Sequence, residues 1–209
     1  MLLSLFRGNS MEYTNYNAIQ LDALREVGNI GAGNAATALS QLINKKVDMS
    51  VPNINIVPFE TIFSRIGGEE LVIGVIVRVL GDTPGNILFI FEKEGALNLI
   101  ETLTGKREDS ISDMGNSVLC EIGNIISSSF MNSIARFTNL LIMPSVPAVS
   151  YDMLGAILST TFIESGQFDD SVLDIETEFL ESDSSINGHF YYIPMPGSLD
   201  KILNALGVN

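Results

Sequence analysis

The chain has 209 residues, 46% of them hydrophobic and 17% charged, enough apolar material for a well-filled core and the wrong balance for a disordered chain. Its formal charge of −14 sets it against phosphate backbones and anionic lipid, which excludes nucleic-acid and membrane-surface roles. No apolar run reaches the ~20 residues of a transmembrane helix, and the single cysteine, Cys120, permits no internal disulfide and fits a reducing cytoplasm.

Residues 1–16 read as a loose leader. Met1 to Phe6 is apolar, but Arg7 follows directly, which is not a signal-peptide layout, and Met11 is an equally natural start. Residues 17–209 are expected to form one domain of two homologous halves, about 17–105 and 112–208. In the first half the patterning predicts a long helix over 18–44, a strand over 47–51 and a short helix over 59–66. Two strands over 71–80 and 85–91 follow, joined by the turn-rich Gly81-Asp82-Thr83-Pro84. A closing helix ends at Gly105, the residue type usual just past a helix end.

After a short polar link, 104–112, the same order returns. It comprises a long helix over 113–137, a strand over 141–146, a short helix over 152–159, strands over 171–180 and 189–194, and a closing helix ending at Gly207. The residues repeat as well as the elements. Glu26-Val-Gly-Asn29-Ile returns 95 positions later as Glu121-Ile-Gly-Asn124-Ile, and Pro52 returns as Pro147 at the same offset. Gly95 to Gly105 is echoed by Gly197 to Gly207 at an offset of 102, so about seven residues are inserted in the second half. The acidic stretch from Glu164 to Asp183, with eight acids and no Lys or Arg, is the natural place for them and reads as a solvated loop and strand edge. Three strands per half cannot bury both faces alone. The expected fold class is therefore α+β: a pseudo-twofold duplicated unit with one largely antiparallel sheet of about six strands, flanked by helices.

At 100° per residue the first long helix places Leu24, Val27, Ala35, Ala38, Leu39 and Leu42 on a core side. Asp22, Glu26, Asn29, Gly33 and Ser40 fall on the opposite side. The second helix divides likewise, with Leu119, Ile122, Ile126, Phe130, Ile134 and Phe137 inward and Ser117, Glu121, Asn124 and Ser128 outward. An acid and an amide three residues apart on an exposed face ordinarily mean solvation. Here the pair recurs at matching places, and its neighbours are small (Gly33, Ala36, Ser40; Ser128, Ala135), which leaves a flat strip suited to docking a protein.

At these residues the chain resembles the CheC, CheX and FliY family of chemotaxis phosphatases. The family signature is Asp or Ser, three residues, Glu, two residues, Asn, twenty-two residues, Pro. Asp22, Glu26, Asn29 and Pro52 match it once, and Ser117, Glu121, Asn124 and Pro147 match it again. Two copies fit CheC rather than CheX, which keeps one; FliY, with its added flagellar-switch domains, is the poorer match.

The resemblance implies a cytoplasmic hydrolase that removes the aspartyl phosphate of a phosphorylated CheY-like receiver. Asn29 and Asn124 would place the attacking water, since a carboxamide both donates and accepts but is no base. Glu26 and Glu121 would pair with the receiver's lysine. Asp22 and Ser117 would tune docking, and Pro52 and Pro147 would shape the floor below the helix. No cofactor would be bound by this chain, the Mg²⁺ arriving with the receiver. The resemblance also implies a second partner, a CheD-type receptor deamidase, at the short helix of the second half, where Gly155 and Ala156 leave a notch beside Asp152. The alternative is a non-catalytic module that holds the phosphorylated receiver and the deamidase.

Three other signals point elsewhere and are set aside. Gly31-Ala-Gly33-Asn-Ala-Ala36 imitates a dinucleotide-binding fingerprint but falls inside a helical pattern rather than after a strand. With one His (His189) and one Cys, the chain has no His/Cys metal cluster. Cys120 points away from the stripe and is expected to be a small buried apolar residue rather than a nucleophile.

Overall fold

A computed structural model describes residues 16–44, 46–58, 62, 69–165, 171–181 and 184–208. Helix α1 (Ala18–Ile43) begins where Asn17 accepts from the Gln20 N–H while the Gln20 side chain reaches back, a capping box. It ends on Asn44 in the left-handed region. The second long helix, α3 (Asp113–Thr138), starts from the Ser112 hydroxyl and ends on left-handed Asn139. The repeat therefore extends to the stop residue, since asparagine tolerates this conformation better than most side chains. The closing helices α2 (Lys93–Thr104) and α5 (Ser198–Leu206) stop at Gly105 and Gly207, both at positive φ, as predicted.

The described strands number eight, not six: β1 (Val47–Ser50), β2 (Ile54–Pro58), β3 (Leu71–Gly81), β4 (Gly85–Phe91), β5 (Ile142–Pro144), β6 (Ala148–Met153), β7 (Ser171–Glu181) and β8 (Ser184–Pro194). The two extra strands, β2 and β6, follow the prolines. Pro52 and Pro147 interrupt each strand segment, because proline cannot donate to a ladder. The chain then resumes pairing on the same neighbour. Residues 152 and 153, expected to open a helix, instead complete β6 by pairing with Val72 and Leu71. Helix α4 begins only at Leu154 and runs to Ser165. Long-range pairing has overridden local helix preference. The predicted helix over 59–66 lies outside the described residues except for Ile62, and the leader lies outside them altogether.

All pairings are antiparallel, in the order β1-β7-β8-β4-β3-β5. Strand β2 continues along β7, and β6 along β3. The halves are thereby interlocked. The β7–β8 hairpin of the second half carries β1 and β2 of the first, and the β3–β4 hairpin carries β5 and β6 of the second. The halves meet at β4–β8, where Leu88 pairs with Tyr191 and Phe89 with Phe190. Strand β7 is flanked on both sides, so the acids it carries do not lie on a sheet edge: Asp174 is fully buried, and Glu176 accepts from Asn53.

The alternation of β3 sends Ile73, Val75, Val77 and Val79 to one face, where α1, α2, α3 and α5 build the main core. On the other face Val72, Leu88 and Tyr191 pack with Leu154, Ile157 and Leu158 of α4. The predicted inward residues of the long helices are buried, except that Ala38 is half-buried and Leu42 and Phe137, in the last turns, are exposed. Ala36, read as part of the surface strip, is buried. Gly31 sits where α1 and α3 touch backbone to backbone, since a Cβ there would stand 2.9 Å from the Phe130 Cα. The glycine motif thus serves helix packing, mid-helix and far from any helix N-terminus.

Candidate functional site

On α1, Asp22 and Glu26 are exposed, Asn29 is half-buried and Gly33 is exposed. On α3, Ser117, Glu121 and Asn124 are exposed. Each helix therefore brings its acid and its amide to one outward stripe, a turn apart. Asp22 accepts an ion pair from Arg25 at 2.9 Å, which ties up its charge within the helix. The Ser117 hydroxyl donates to the Asp113 carbonyl at 2.9 Å. Glu26 and Glu121 form no ion pair among the described residues, so each carboxylate is available to a cation brought from outside.

The two amides differ. The Asn29 Nδ2 donates to the carbonyls of Arg25 and Val51, both at 3.1 Å, and the Val51 N–H donates to Asn29 Oδ1 at 2.9 Å. The side chain thus clasps the backbone of the residue preceding Pro52. This contact gives the twenty-two-residue spacing a physical meaning: it is the chain length needed to turn from helix to strand and return beneath the amide. Val51 was missed from sequence. At the matching place in the second half, Asn124 only accepts a 3.3 Å contact from the Ser128 hydroxyl, and its Nδ2 has no partner among the described residues. Val146, the counterpart of Val51, is 87% exposed where Val51 is 1% exposed, and its carbonyl accepts from Ser145 instead. The Pro147 carbonyl is approached by the Cys120 thiol at 3.6 Å. Pro52 is exposed and Pro147 half-buried, each in the loop between two short strands.

Desolvation pushes the Cys120 thiol up, so it stays protonated at neutral pH, which suits a small packing residue and not a nucleophile. The His189 side chain lies outside the described residues. Among the described residues no group of three or more His, Cys, Asp or Glu could hold a metal ion, and no helix is long and apolar enough to cross a membrane.

The partner segment is divided between two elements. Asp152 is exposed at the end of β6, its carboxylate accepting from the Met153 N–H, while Gly155 and Ala156 are half-exposed on the outer side of α4. The notch faces outward and the acid is in the strand before it.

A CheC-like family description matches residues 19–56 and 114–151, the two helix-and-loop units just described. The chain is 34% identical to the CheY-P phosphatase CheC of Bacillus subtilis over 215 aligned residues, which take in 99% of this chain and 100% of that protein. The chain belongs to the CheC family. A putative CheY-P phosphatase, CheC1, of Halobacterium salinarum is 24% identical over 190 residues, covering 90% of this chain and 96% of its own. In fold, the chain superimposes on the crystal structure of Thermotoga maritima FliY with a TM-score of 0.75 at 18% identity, covering 92% of this chain and 98% of that one.

Proposed function

We propose that this chain hydrolyses the aspartyl phosphate of a phosphorylated CheY-like receiver, and that the second half carries the larger share of the activity. The observation that carries the reading is the exposed Glu121–Asn124 pair, whose carboxamide nitrogen has no partner among the described residues while a free carboxylate stands one turn away. Membership of a family whose Bacillus member is named a CheY-P phosphatase supports the substrate class.

Glu121 takes the receiver's lysine and sets the register of docking. Asn124 then donates to and accepts from a water held in line with the phosphorus. The water oxygen bonds to phosphorus as the acyl P–O bond breaks; aspartate and inorganic phosphate leave, and the water's protons leave with the phosphate. The amide removes no proton, so its contribution is orientation. Charge neutralisation is left to the receiver's own Mg²⁺ and lysine, which belong to the substrate. Glu26 and Asn29 repeat the arrangement, but Asn29 can give both hydrogen-bonding functions to water only by releasing Val51. Asp22, Ser117, Pro52 and Pro147 shape the surroundings of the two pairs.

The test is phosphate release from a phosphorylated receiver at sub-stoichiometric amounts of this protein. Asn124→Ala is expected to slow the stimulated rate by about 10²–10³ at the second site, the usual loss for one positioned transition-state contact, leaving the residual turnover of the first. Asn29→Ala should retain most of the rate. Parental turnover in Asn124→Ala overturns the assignment, and acceleration that stops at one turnover per chain supports the binding-module alternative.

The outward notch of α4 supports a second contact, with a CheD-type deamidase. Gly155 and Ala156 permit close approach there, and exposed Asp152 supplies a charge to set register. Asp152→Lys should weaken that association while phosphate release stays parental; unchanged affinity by titration calorimetry removes this surface from the interface.

A further inference from the structure

Large apolar residues near the starts of the long helices are buried or half-buried, with one exception in each. Ile19 is 69% exposed and Met114 is 64% exposed. The exceptions occupy the same repeat position, 95 residues apart, each seven positions ahead of the acid of its own stripe: Ile19 before Glu26, and Met114 before Glu121. Seven residues of helix turn through 700°, which returns to within about 20° of the start, and rise about 10 Å. Both copies therefore present one large apolar side chain, two turns ahead of a free carboxylate, on one outward line. Different residues, Ile and Met, preserve the same property. The far-end exposures, Leu42 and Phe137, sit well round the helix from this line and do not share it.

We infer that Ile19 and Met114 are apolar anchors for the phosphorylated receiver, extending each docking surface two helical turns toward the helix start. This rests on the phosphatase reading above. The occupant must bring a cation to the glutamate and an apolar patch about 10 Å from that cation. Charge favours a partner of this kind, since Glu26 and Glu121 have no internal cation and the chain as a whole carries −14. A second copy of this chain would bring like charge to the same acids.

The test uses the full chain with Ile19→Gln and Met114→Gln together, and Ile19→Leu with Met114→Leu as the conservative pair. Two readouts are needed: steady-state phosphate release from phosphorylated receiver, and affinity for receiver carrying beryllofluoride as the phosphoryl mimic. The Gln pair is expected to raise KM and Kd by about tenfold to a hundredfold, the consequence of no longer burying a side chain of this size, with kcat at saturation unchanged. The Leu pair should restore parental values. An unchanged KM and Kd overturns the inference, as does a loss confined to kcat. A lowered melting temperature in the Gln pair also overturns it, by showing that the chain's own residues cover these side chains, and so does a changed sedimentation coefficient, which assigns them to self-association. If the parent binds the mimic without hydrolysing phosphate, the phosphatase reading fails while Kd still tests the anchors. If the parent does neither, both fall.

Discussion

Truncating the two signature asparagines should have opposite consequences for stability, although they occupy equivalent positions. Asn29→Ala removes three hydrogen bonds, two of them to the backbone of Val51, whose N–H and C=O lose their partners in a residue 1% exposed. Each buried backbone group left unsatisfied costs about 1–3 kcal/mol. Asn29 is itself half-buried, so water reaches part of the gap and the lower end of that range applies to each group. Alanine is the better helix former by about 0.6 kcal/mol, which offsets a fraction. The net loss is about 1.5 kcal/mol. For a chain of this size that lowers the melting temperature by about 3–6 °C. Asn124→Ala loses one 3.3 Å contact at an exposed position and keeps the propensity gain, so it should be neutral or stabilising by up to about 0.5 kcal/mol. Thermal and urea unfolding of both variants, measured side by side, decide the matter. Equal shifts, or a larger loss for Asn124→Ala, would refute the claim that Asn29 clasps the strand while Asn124 stands open.

Three further outcomes follow from other contacts. Gly31→Ala should destabilise by about 1–3 kcal/mol, because its Cβ meets backbone that cannot yield, whereas Gly33→Ala, with nothing within 4 Å, should stabilise by up to about 1 kcal/mol; urea midpoints in the reverse order would exclude the helix contact described. Asp82 is held below its ordinary pKa of 3.8, first by the Leu141 N–H it accepts and then by Lys201. The depressed value belongs to the folded state, so its contribution is present above pH 3.8 and lost as pH falls through the folded value. Asp82→Asn should therefore lie below the parent in urea midpoint at neutral pH and converge on it below pH 3.8; a gap of constant size would contradict this. Glu26→Lys with Glu121→Lys should weaken binding of beryllofluoride-loaded receiver at least tenfold, since lysine then faces lysine, and parental affinity would mean that these acids are only solvated.

Much of the frame was legible in the residues because the repeat marks itself at helix ends. Asn44 with Asn139, and Gly105 with Gly207, stop equivalent helices at equivalent places. The helix stripe was legible for the same reason, since 3.6-residue periodicity is local. Strands β2 and β6 were not, because Ile54–Pro58 and Ala148–Met153 acquire their conformation from β7 and β3, far away in sequence. The inequality of the two amides was also hidden. Val51-Pro52 and Val146-Pro147 read identically, and only the burial of one valine and the exposure of the other separates a clasped asparagine from an open one.

The exchange of edge strands between halves has a consequence for synthesis on the ribosome. Strand β1 pairs with β7, from Val47 with Glu181 onward, so it leaves the tunnel with no neighbour to join. The 134 residues still to be made (181 less 47) take about 7–27 s at 5–20 residues per second. Strands β5 and β6 have no such delay, because β3 is already present when they emerge. The nascent first half therefore shows an open β-edge to the cell for many seconds while the second half does not, and such edges invite pairing with other chains. The Asn29–Val51 clasp spans only 22 residues and requires nothing from the second half, so it can hold the strand segment against α1 throughout that interval. On that timetable, an asparagine that contributes least to chemistry would contribute most to the yield of folded protein.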